Sequence, residues 1–151
     1  DKFSDICLIV SAKPDDKYHT ILRDLGVKYA FTGFLDNRAY NSLMSACDVY
    51  CCTTLSDAGP RTNYESAALA TPVISFDKSN AADFVTNNNG ALVETGNVKE
   101  LTEAIRRFVG YDDRAKKGVS LNMHETYKEH MRTETLVAKW KSFFAESTCE
   151  S

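Results

Sequence analysis

The sequence lacks two features that would point to nucleic acids or membranes: a surplus of basic residues and a long apolar run. Its 18 lysines and arginines are outnumbered by 21 aspartates and glutamates, which gives a net charge of −3. Nucleic-acid binding needs a basic surface, so this balance argues against it. No run approaches the roughly 18 apolar residues of a membrane-spanning helix, and the first residues show no secretory signal. We therefore expect a cytoplasmic protein with no membrane span.

Proline and glycine are also scarce, with three and seven residues respectively. Neither clusters into a low-complexity linker, and no internal repeat is present. A chain of 151 residues without such a break predicts one domain over 1–151, with C-terminal helices over 113–151.

The five cysteines form no pattern of a metal site or a disulfide framework. Their number is odd, and no pair has the C-x-x-C spacing. We expect them to be small buried apolar residues in a reducing compartment, with no metal bound. They are Cys7, Cys47, Cys51, Cys52 and Cys149.

Short apolar, β-branched runs alternate along the chain with helical patterns. This alternation predicts an α/β fold, a Rossmann-like parallel sheet flanked by helices. The predicted strands are Ile6–Val10, which we expect to be covered on both faces, Val27–Phe31, Asp48–Cys52, Pro72–Phe76 and Ala91–Val93. The predicted helices are Tyr18–Leu25, one capped by Asp36 or Asn37, Asn63–Ala70, Ala81–Asn87, Asn97–Val109, Asp113–His130 and Thr133–Ala145. In the last helix, Trp140, Phe143 and Phe144 are expected to pack in the core rather than form an interface, with an exposed patch on this helix as the alternative.

The stretch 56–76 is the most informative for chemistry, because a loop there runs from a strand end into a helix N-terminus. Unpaired amides and the helix dipole at that point favour a phosphate group. Gly59 would let an anion approach the backbone, and Arg61 could add a positive charge. Glu65, in the first turn, could accept hydrogen bonds from a ribose diol, and Asp57 from other sugar hydroxyls. Each residue taken alone is more often an ordinary loop or helix-surface residue than part of a binding site.

Taken together, these residues resemble a known family. Asp57, seven residues, Glu65 and then Ser66–Phe76 are similar to the signature of retaining glycosyltransferases of family four, the "group 1" type with the GT-B fold. The resemblance extends in order over about Ile6 to Phe108. Its other segments are Phe31–Leu35, Tyr40–Tyr50, Asn89–Val93 and Leu101–Ile105.

The resemblance implies roles for individual residues. Glu65 would bind the donor ribose and Asp57 the transferred sugar, and these two are the catalytic candidates. Backbone groups of two segments would bind the rest of a UDP- or GDP-linked sugar, without metal or other cofactor. The segment toward the sugar and diphosphate comprises Gly59, Pro60, Arg61, Thr62 and Asn63, and the segment toward the base comprises Gly33, Phe34 and Leu35. The implied activity is transfer of a hexose with retention, in polysaccharide biosynthesis, by an enzyme that is cytoplasmic or peripheral to the inner membrane.

Three departures from the family pattern matter. Asp57 is one methylene shorter than the family's glutamate, and Ala70 replaces a glycine. The family's opening strand–helix unit, with a Gly-Arg and a lysine that hold the diphosphate, is not found before Asp5. We therefore expect the C-terminal, donor-binding half of a GT-B transferase without its first strand–helix unit. The acceptor-binding N-terminal domain would belong to the same parent chain, and the piece alone would be inactive.

Two other functions stay open. One is a catalytically inactive module that binds a nucleotide sugar or phosphate, which the Asp57 departure would fit. The other is an unrelated Rossmann-like domain such as a phosphate-sensing receiver. A receiver needs an aspartate at the end of its third strand, where this chain has Cys51–Thr54, so it ranks last.

Overall fold

A computed structural model describes residues 6–13, 15–56 and 59–147 of the chain. Strands and helices alternate through these ranges as predicted. The strands there are β1 (Cys7–Val10), β2 (Lys28–Phe31), β3 (Tyr50–Cys52), β4 (Val73–Phe76) and β5 (Gly90–Val93). The α-helices there are α1 (Asp16–Asp24), α2 (Asn37–Ala46), α3 (Arg61–Ala68), α4 (Val98–Val109), α5 (Asp113–Met131) and α6 (Thr133–Ser147).

The predicted helix over Ala81–Asn87 is wrong in type and length. A short 3₁₀ helix covers Asn80–Asp83 instead. The cause is a competing turn, in which the Asn89 side chain accepts from the Thr86 amide at 2.7 Å and the Asn89 amide donates to the Thr86 carbonyl at 3.2 Å. This asparagine turn leads directly into β5.

The described strands form two parallel sheets rather than one. β1 pairs with β2, while β3, β4 and β5 pair in that order. A doubly wound sheet has the usual order 3-2-1-4-5-6, in which strand 1 lies between strands 2 and 4. If β1 to β5 take the places of strands 2 to 6, the order without strand 1 is β2-β1, a break, and β3-β4-β5. The split is thus what this strand order gives when the strand between β1 and β3 is not among the described residues.

The break also corrects two expectations about burial. β1 is not covered on both faces, because Leu8 and Ile9 are 41% and 37% exposed. Cys7 on β1 and Cys51 on β3 are exposed rather than buried, Cys47 is half-buried, and Cys52 is buried. The exposed residues lie on β1 and β3, each of which pairs with only one strand among the described residues. Cys149 lies outside the described residues.

The core lies on both faces of β4, whose four residues are all buried. On one face Val73 packs with Ala67 of α3 and Met123 of α5. On the other face Ile74 and Phe76 pack with Ala104 and Phe108 of α4. β4 is thus the rigid centre from which α3, the candidate phosphate-binding helix, is positioned.

The aromatic residues of α6 do not pack in the core, contrary to expectation. Trp140, Phe143 and Phe144 are 59%, 59% and 60% exposed. Their rings contact one another instead, with Trp140 stacked on Phe144 at 5.8 Å between centroids. No helix in the described part of the chain is both long enough and apolar enough to cross a membrane.

Candidate functional site

The site begins at the N-terminus of α3, where the chain leaves β3. Pro60 is the capping residue, and its side chain makes no capping hydrogen bond. Proline suits a helix start because its φ is fixed and it carries no amide hydrogen. The amides of Arg61 and Thr62 have no intrahelical partner, since the first turn of a helix offers none. The helix therefore presents its positive dipole end at the carboxyl edge of the sheet.

Glu65 lies one turn into α3, on its half-exposed side, and not in the first turn as expected, because the helix begins at Arg61. Its Oε1 accepts a hydrogen bond from Nε of Arg61 at 2.9 Å, and the side chains are 32% and 87% exposed respectively. Burial, and next the negative charge of Glu65, raise the pKa of the Tyr40 phenol on α2. Glu65 thus lies between α3 and α2, open to solvent rather than inside the core.

The turn that leads into α3 is fixed by hydrogen bonds to two neighbouring segments, β3 and the segment after β4. The Tyr50 hydroxyl, on β3, is 2.8 Å from the Thr62 hydroxyl. Nδ2 of Asn80, after β4, donates to the Pro60 carbonyl at 3.2 Å. Nδ2 of Asn63 donates to Oδ1 of Asn80 at 2.9 Å. Burial raises the pKa of the Tyr50 phenol strongly, so this residue stays a neutral hydrogen-bonding group.

Asn63 is a structural part of this arrangement. It is fully buried, and its amide donates to the Pro60 carbonyl at 3.1 Å. Its Oδ1 has no hydrogen-bond partner among the described residues. The predicted contact of the Asn63 amide with a diphosphate would therefore require this bond to open.

The second predicted segment follows β2. Gly33 has a φ of +67°, a conformation that strongly favours glycine. Its amide donates to the Ala12 carbonyl at 3.2 Å, which ties this loop to the one after β1. Phe34 is 84% exposed, whereas Leu35 is half-buried. The loop is thus held at Gly33 and at Leu35, while the Phe34 ring between them is exposed to solvent.

Gly59 lies at the open end of the α3 turn. It is exposed, and a Cβ at this position would lie 3.4 Å from Nδ2 of Asn80. Asp57, the other predicted acid, lies outside the described residues. No group of three or more histidine, cysteine, aspartate or glutamate side chains could hold a metal ion within the described ranges.

Sequence reasoning missed Tyr40, Tyr50 and Asn80. Asn80 could have been found, because it follows the carboxyl end of β4, where parallel strands direct their loops to a ligand. Tyr50 and Tyr40 belong to regular elements, and nothing in their spacing distinguishes them from core residues.

A cavity of about 250 Å³ lies away from this edge. It is lined by residues at the amino end of β5 and on α5, among them Asn88, Asn122 and Glu125. In parallel sheets ligands bind at the carboxyl ends of strands, so we assign the site to the open surface around α3 and not to this cavity.

Comparison with known proteins places this geometry in context. The family model described as "Glycosyl transferases group 1" matches residues 7–119. A search of curated proteins gave no match. Among solved structures, TarM matches with a TM-score of 0.74 and 20% identity over 91% of this chain and 28% of that chain. A second structure of TarM names S. aureus as its source.

Two further solved structures have the same fold. HepE of Anabaena in complex with UDP gives a TM-score of 0.72 and 20% identity over 93% of this chain and 40% of that chain. The catalytic domain of cholesterol-α-glucosyltransferase from Helicobacter pylori gives a TM-score of 0.70 and 20% identity over 84% of this chain and 80% of that chain. The chain thus spans less than half the length of TarM and HepE.

Proposed function

The chain belongs to the group 1 glycosyl transferases, and from that premise we propose that it is the donor-binding, C-terminal domain of a retaining family-four enzyme. The enzyme would transfer a hexose from a nucleoside-diphosphate sugar to an acceptor. One observation carries the proposal: the N-terminus of α3, the guanidinium of Arg61 and the half-exposed carboxylate of Glu65 meet at the carboxyl edge of the sheet.

The donor would lie across this edge with its diphosphate at the start of α3. The amides of Arg61 and Thr62 and the dipole would hold the negative charge. Glu65 would accept from both ribose hydroxyls, and the base would reach the loop Gly33–Leu35. Two related structures are complexes with UDP and UDP-glucose, which supports a UDP- or GDP-linked donor.

Donor binding would require Arg61 to change partners. In the free protein its guanidinium holds the carboxylate of Glu65. Such an exposed pair is worth only about 0.3–0.5 kcal/mol. A diphosphate offers more charge, so Arg61 would move to it and leave Glu65 to the ribose.

The chemistry would then proceed on one face of the sugar. The bond from the anomeric carbon to the phosphate oxygen breaks, and a bond to the acceptor oxygen forms on the same face. The acceptor's hydroxyl proton passes to the leaving phosphate oxygen, so no side chain of this domain need act as the base. The helix amides stabilise the diphosphate as its charge develops, which is the main contribution of this domain. Asp57 would contact the transferred sugar.

The acceptor site would lie on a second domain. The chain spans 28%, 39% and 40% of three related solved chains. We propose an acceptor-binding N-terminal domain in the same parent protein, with this domain inactive alone. Polysaccharide biosynthesis, in a cytoplasmic or peripheral membrane setting, is the role we propose for the parent.

Titration calorimetry of the full-length protein with a panel of UDP- and GDP-sugars tests the proposal. We expect Glu65→Ala to weaken donor binding by about tenfold or more, the loss of one to two charge-assisted hydrogen bonds. Asp57→Ala should have a smaller effect. Glu103→Ala, an exposed residue of α4 away from the site, is the control and should change nothing.

Equal effects of the Glu65 and Asp57 substitutions, or no effect of either, would contradict the assignment. If donor binds with these effects but no sugar is transferred to any acceptor, the second function that the sequence left open, an inactive nucleotide-sugar-binding module, would be the correct one.

A further inference from the structure

We infer that Tyr40 is a positioning residue of the donor site, whose hydroxyl donates a hydrogen bond to the Glu65 carboxylate while that carboxylate holds the ribose. Tyr40 lies on α2 and Glu65 on α3, and these two helices pack against each other. The inference rests on the proposed function, because it concerns the ribose of the same donor. Tyr40 would not touch the reacting atoms and would act through Glu65.

The two helices are joined near their C-terminal ends, which sets their relative position. Oγ1 of Thr71, just after α3, donates to the carbonyl of Met44 on α2 at 2.9 Å, and this bond is buried. Each helix ends shortly before a strand, β3 or β4, and these two strands are parallel. Tyr40 comes one turn before Met44, and Glu65 comes about one to two turns before Thr71. Tyr40 and Glu65 therefore lie at comparable distances from this bond, each toward the start of its helix.

Glu65 is on the side of α3 that faces α2. Nδ2 of Asn63 donates to Oδ1 of Asn80 at 2.9 Å, and the Tyr64 ring stacks on Phe84 at 5.0 Å between centroids. These two residues of α3 are therefore directed toward the segment after β4. A helix turns by about 100° per residue, so Glu65 lies on the opposite side of α3 from Asn63. Glu65 is thus directed away from the segment after β4 and toward α2.

The Tyr40 hydroxyl is a hydrogen-bond donor near this carboxylate. Tyr40 is half-buried, on the same stripe of α2 as Met44 and Cys47. Burial, and next the negative charge of Glu65, raise the pKa of its phenol, so the hydroxyl keeps its proton. Within residues 6–13, 15–56 and 59–147 this hydroxyl makes no hydrogen bond. Its proton is therefore available to the carboxylate.

The carboxylate needs such a donor when the sugar nucleotide binds. In the free protein, Nε of Arg61 donates to Oε1 of Glu65 at 2.9 Å. Under the proposed function Arg61 moves to the diphosphate, and Glu65 loses that contact. A carboxylate offers about four lone-pair sites on its two oxygens, so Glu65 can accept from two ribose hydroxyls and from Tyr40 together. The phenol would then orient the carboxylate without adding a charge that competes for the diphosphate.

The chain contains a matched tyrosine for comparison. Tyr111 follows α4, is half-buried, and packs its ring against Phe108 at 5.3 Å between centroids. It belongs to the cluster that α4 forms on the face of β4 opposite to α3. Tyr111→Phe therefore removes an equivalent hydroxyl without touching α2, α3 or the proposed donor surface.

The test compares UDP with 2′-deoxy-UDP, which lacks one of the two ribose hydroxyls that Glu65 would hold, in calorimetric titrations of the full-length protein. We expect wild type to bind UDP about tenfold more tightly, the effect of one hydrogen bond to a charged group. Tyr40→Phe should weaken UDP by about three- to tenfold, because the carboxylate is no longer oriented. It should also reduce the preference for UDP over 2′-deoxy-UDP to about threefold. In a Glu65→Ala background Tyr40→Phe should have no further effect, and Tyr111→Phe should change neither affinity.

The outcomes are separable. If wild type binds neither nucleotide, the proposed function fails. If Glu65→Ala weakens UDP but Tyr40→Phe leaves the ratio of the two affinities unchanged, the inference about Tyr40 is overturned while the proposed function stands. This includes an equal weakening of both nucleotides, which a merely structural role of Tyr40 would give. An undiminished effect of Tyr40→Phe in the Glu65→Ala background would also overturn the inference, because Tyr40 would then act independently of Glu65.

Discussion

At the scale of single residues, the site depends on charged side chains that are positioned by an ion pair yet stay accessible to solvent. Glu65 keeps a third of its side chain exposed, and Arg61 nearly all of it. A carboxylate in this setting is reachable from solvent, which a ribose diol requires. A residue fixed inside the core, as Asn63 is, can only shape the site.

Arg61→Met separates a role in donor binding from a role in stability. The exposed Arg61–Glu65 pair contributes about 0.3–0.5 kcal/mol, so the free energy of unfolding in urea should fall by no more than that. UDP affinity should fall by about three- to tenfold, because a charge-assisted contact to phosphate is lost. Arg114→Met, exposed at the start of α5, should change neither quantity. Unchanged UDP affinity would remove Arg61 from the phosphate site.

Ala70 carries backbone strain that the family's glycine would not. Its φ is +61°, in the left-handed region that is costly for a residue with a Cβ. Ala70→Gly should therefore raise the free energy of unfolding by about 0.5–1 kcal/mol, measured by urea denaturation. Gly96 offers the reverse experiment, because its φ is +84° and a Cβ added there would meet no heavy atom within 4 Å. Gly96→Ala should lower stability by a similar amount, and a destabilising Ala70→Gly would contradict the explanation.

At the scale of elements, α3 is a short helix whose start is defined by its neighbours. Eight residues are too few to form a stable helix alone. Its first turn is held by Tyr50 from β3 and by Asn80 from the loop after β4. The direction of the first turn of α3 is thus set by these neighbours rather than by the helix sequence alone.

Asn80→Ala tests this positioning. The substitution removes the acceptor of Asn63 and the donor to Pro60, and it leaves polar groups of a buried residue with fewer partners. We expect a loss of about 1–3 kcal/mol in the free energy of unfolding, together with weaker UDP binding. Asn122→Ala removes a comparable but exposed bond to the Asn88 carbonyl, so it should cost little and leave binding unchanged. Equal costs for the two variants would refute the positioning role of Asn80.

The elements themselves were largely predictable from the sequence. Every predicted strand is present, and the caps Asp36 and Asn97 accept the expected amide hydrogen bonds. These features depend on local patterns of apolar residues and capping side chains. The 3₁₀ helix at Asn80 was not predictable from local pattern. The turn that ends the helical segment depends on hydrogen bonds between Thr86 and Asn89, several residues further along the chain.

At the scale of the whole molecule, the sequence identified the fold class and the loops at the ligand-binding edge. It did not directly indicate the break between the two sheets. Which strands pair depends on contacts between distant parts of the chain, and the pattern within one strand does not show them. The network of Tyr50, Asn63 and Asn80 was also hidden, since its members come from three separate elements and Asn63 and Asn80 are 17 residues apart. The aromatic cluster of α6 has the composition of a core but lies on the surface.

The central claim is that a donor diphosphate binds the amides at the start of α3. Titration of ¹⁵N-labelled protein with UDP, followed by amide chemical shifts, tests it most directly. We predict the largest shifts at Gly59, Arg61 and Thr62, with smaller ones at Gly33 and Phe34, all abolished or reduced by Glu65→Ala. Shifts concentrated instead around the cavity at Asn88 and Asn122, on the opposite edge of the sheet, would contradict the account.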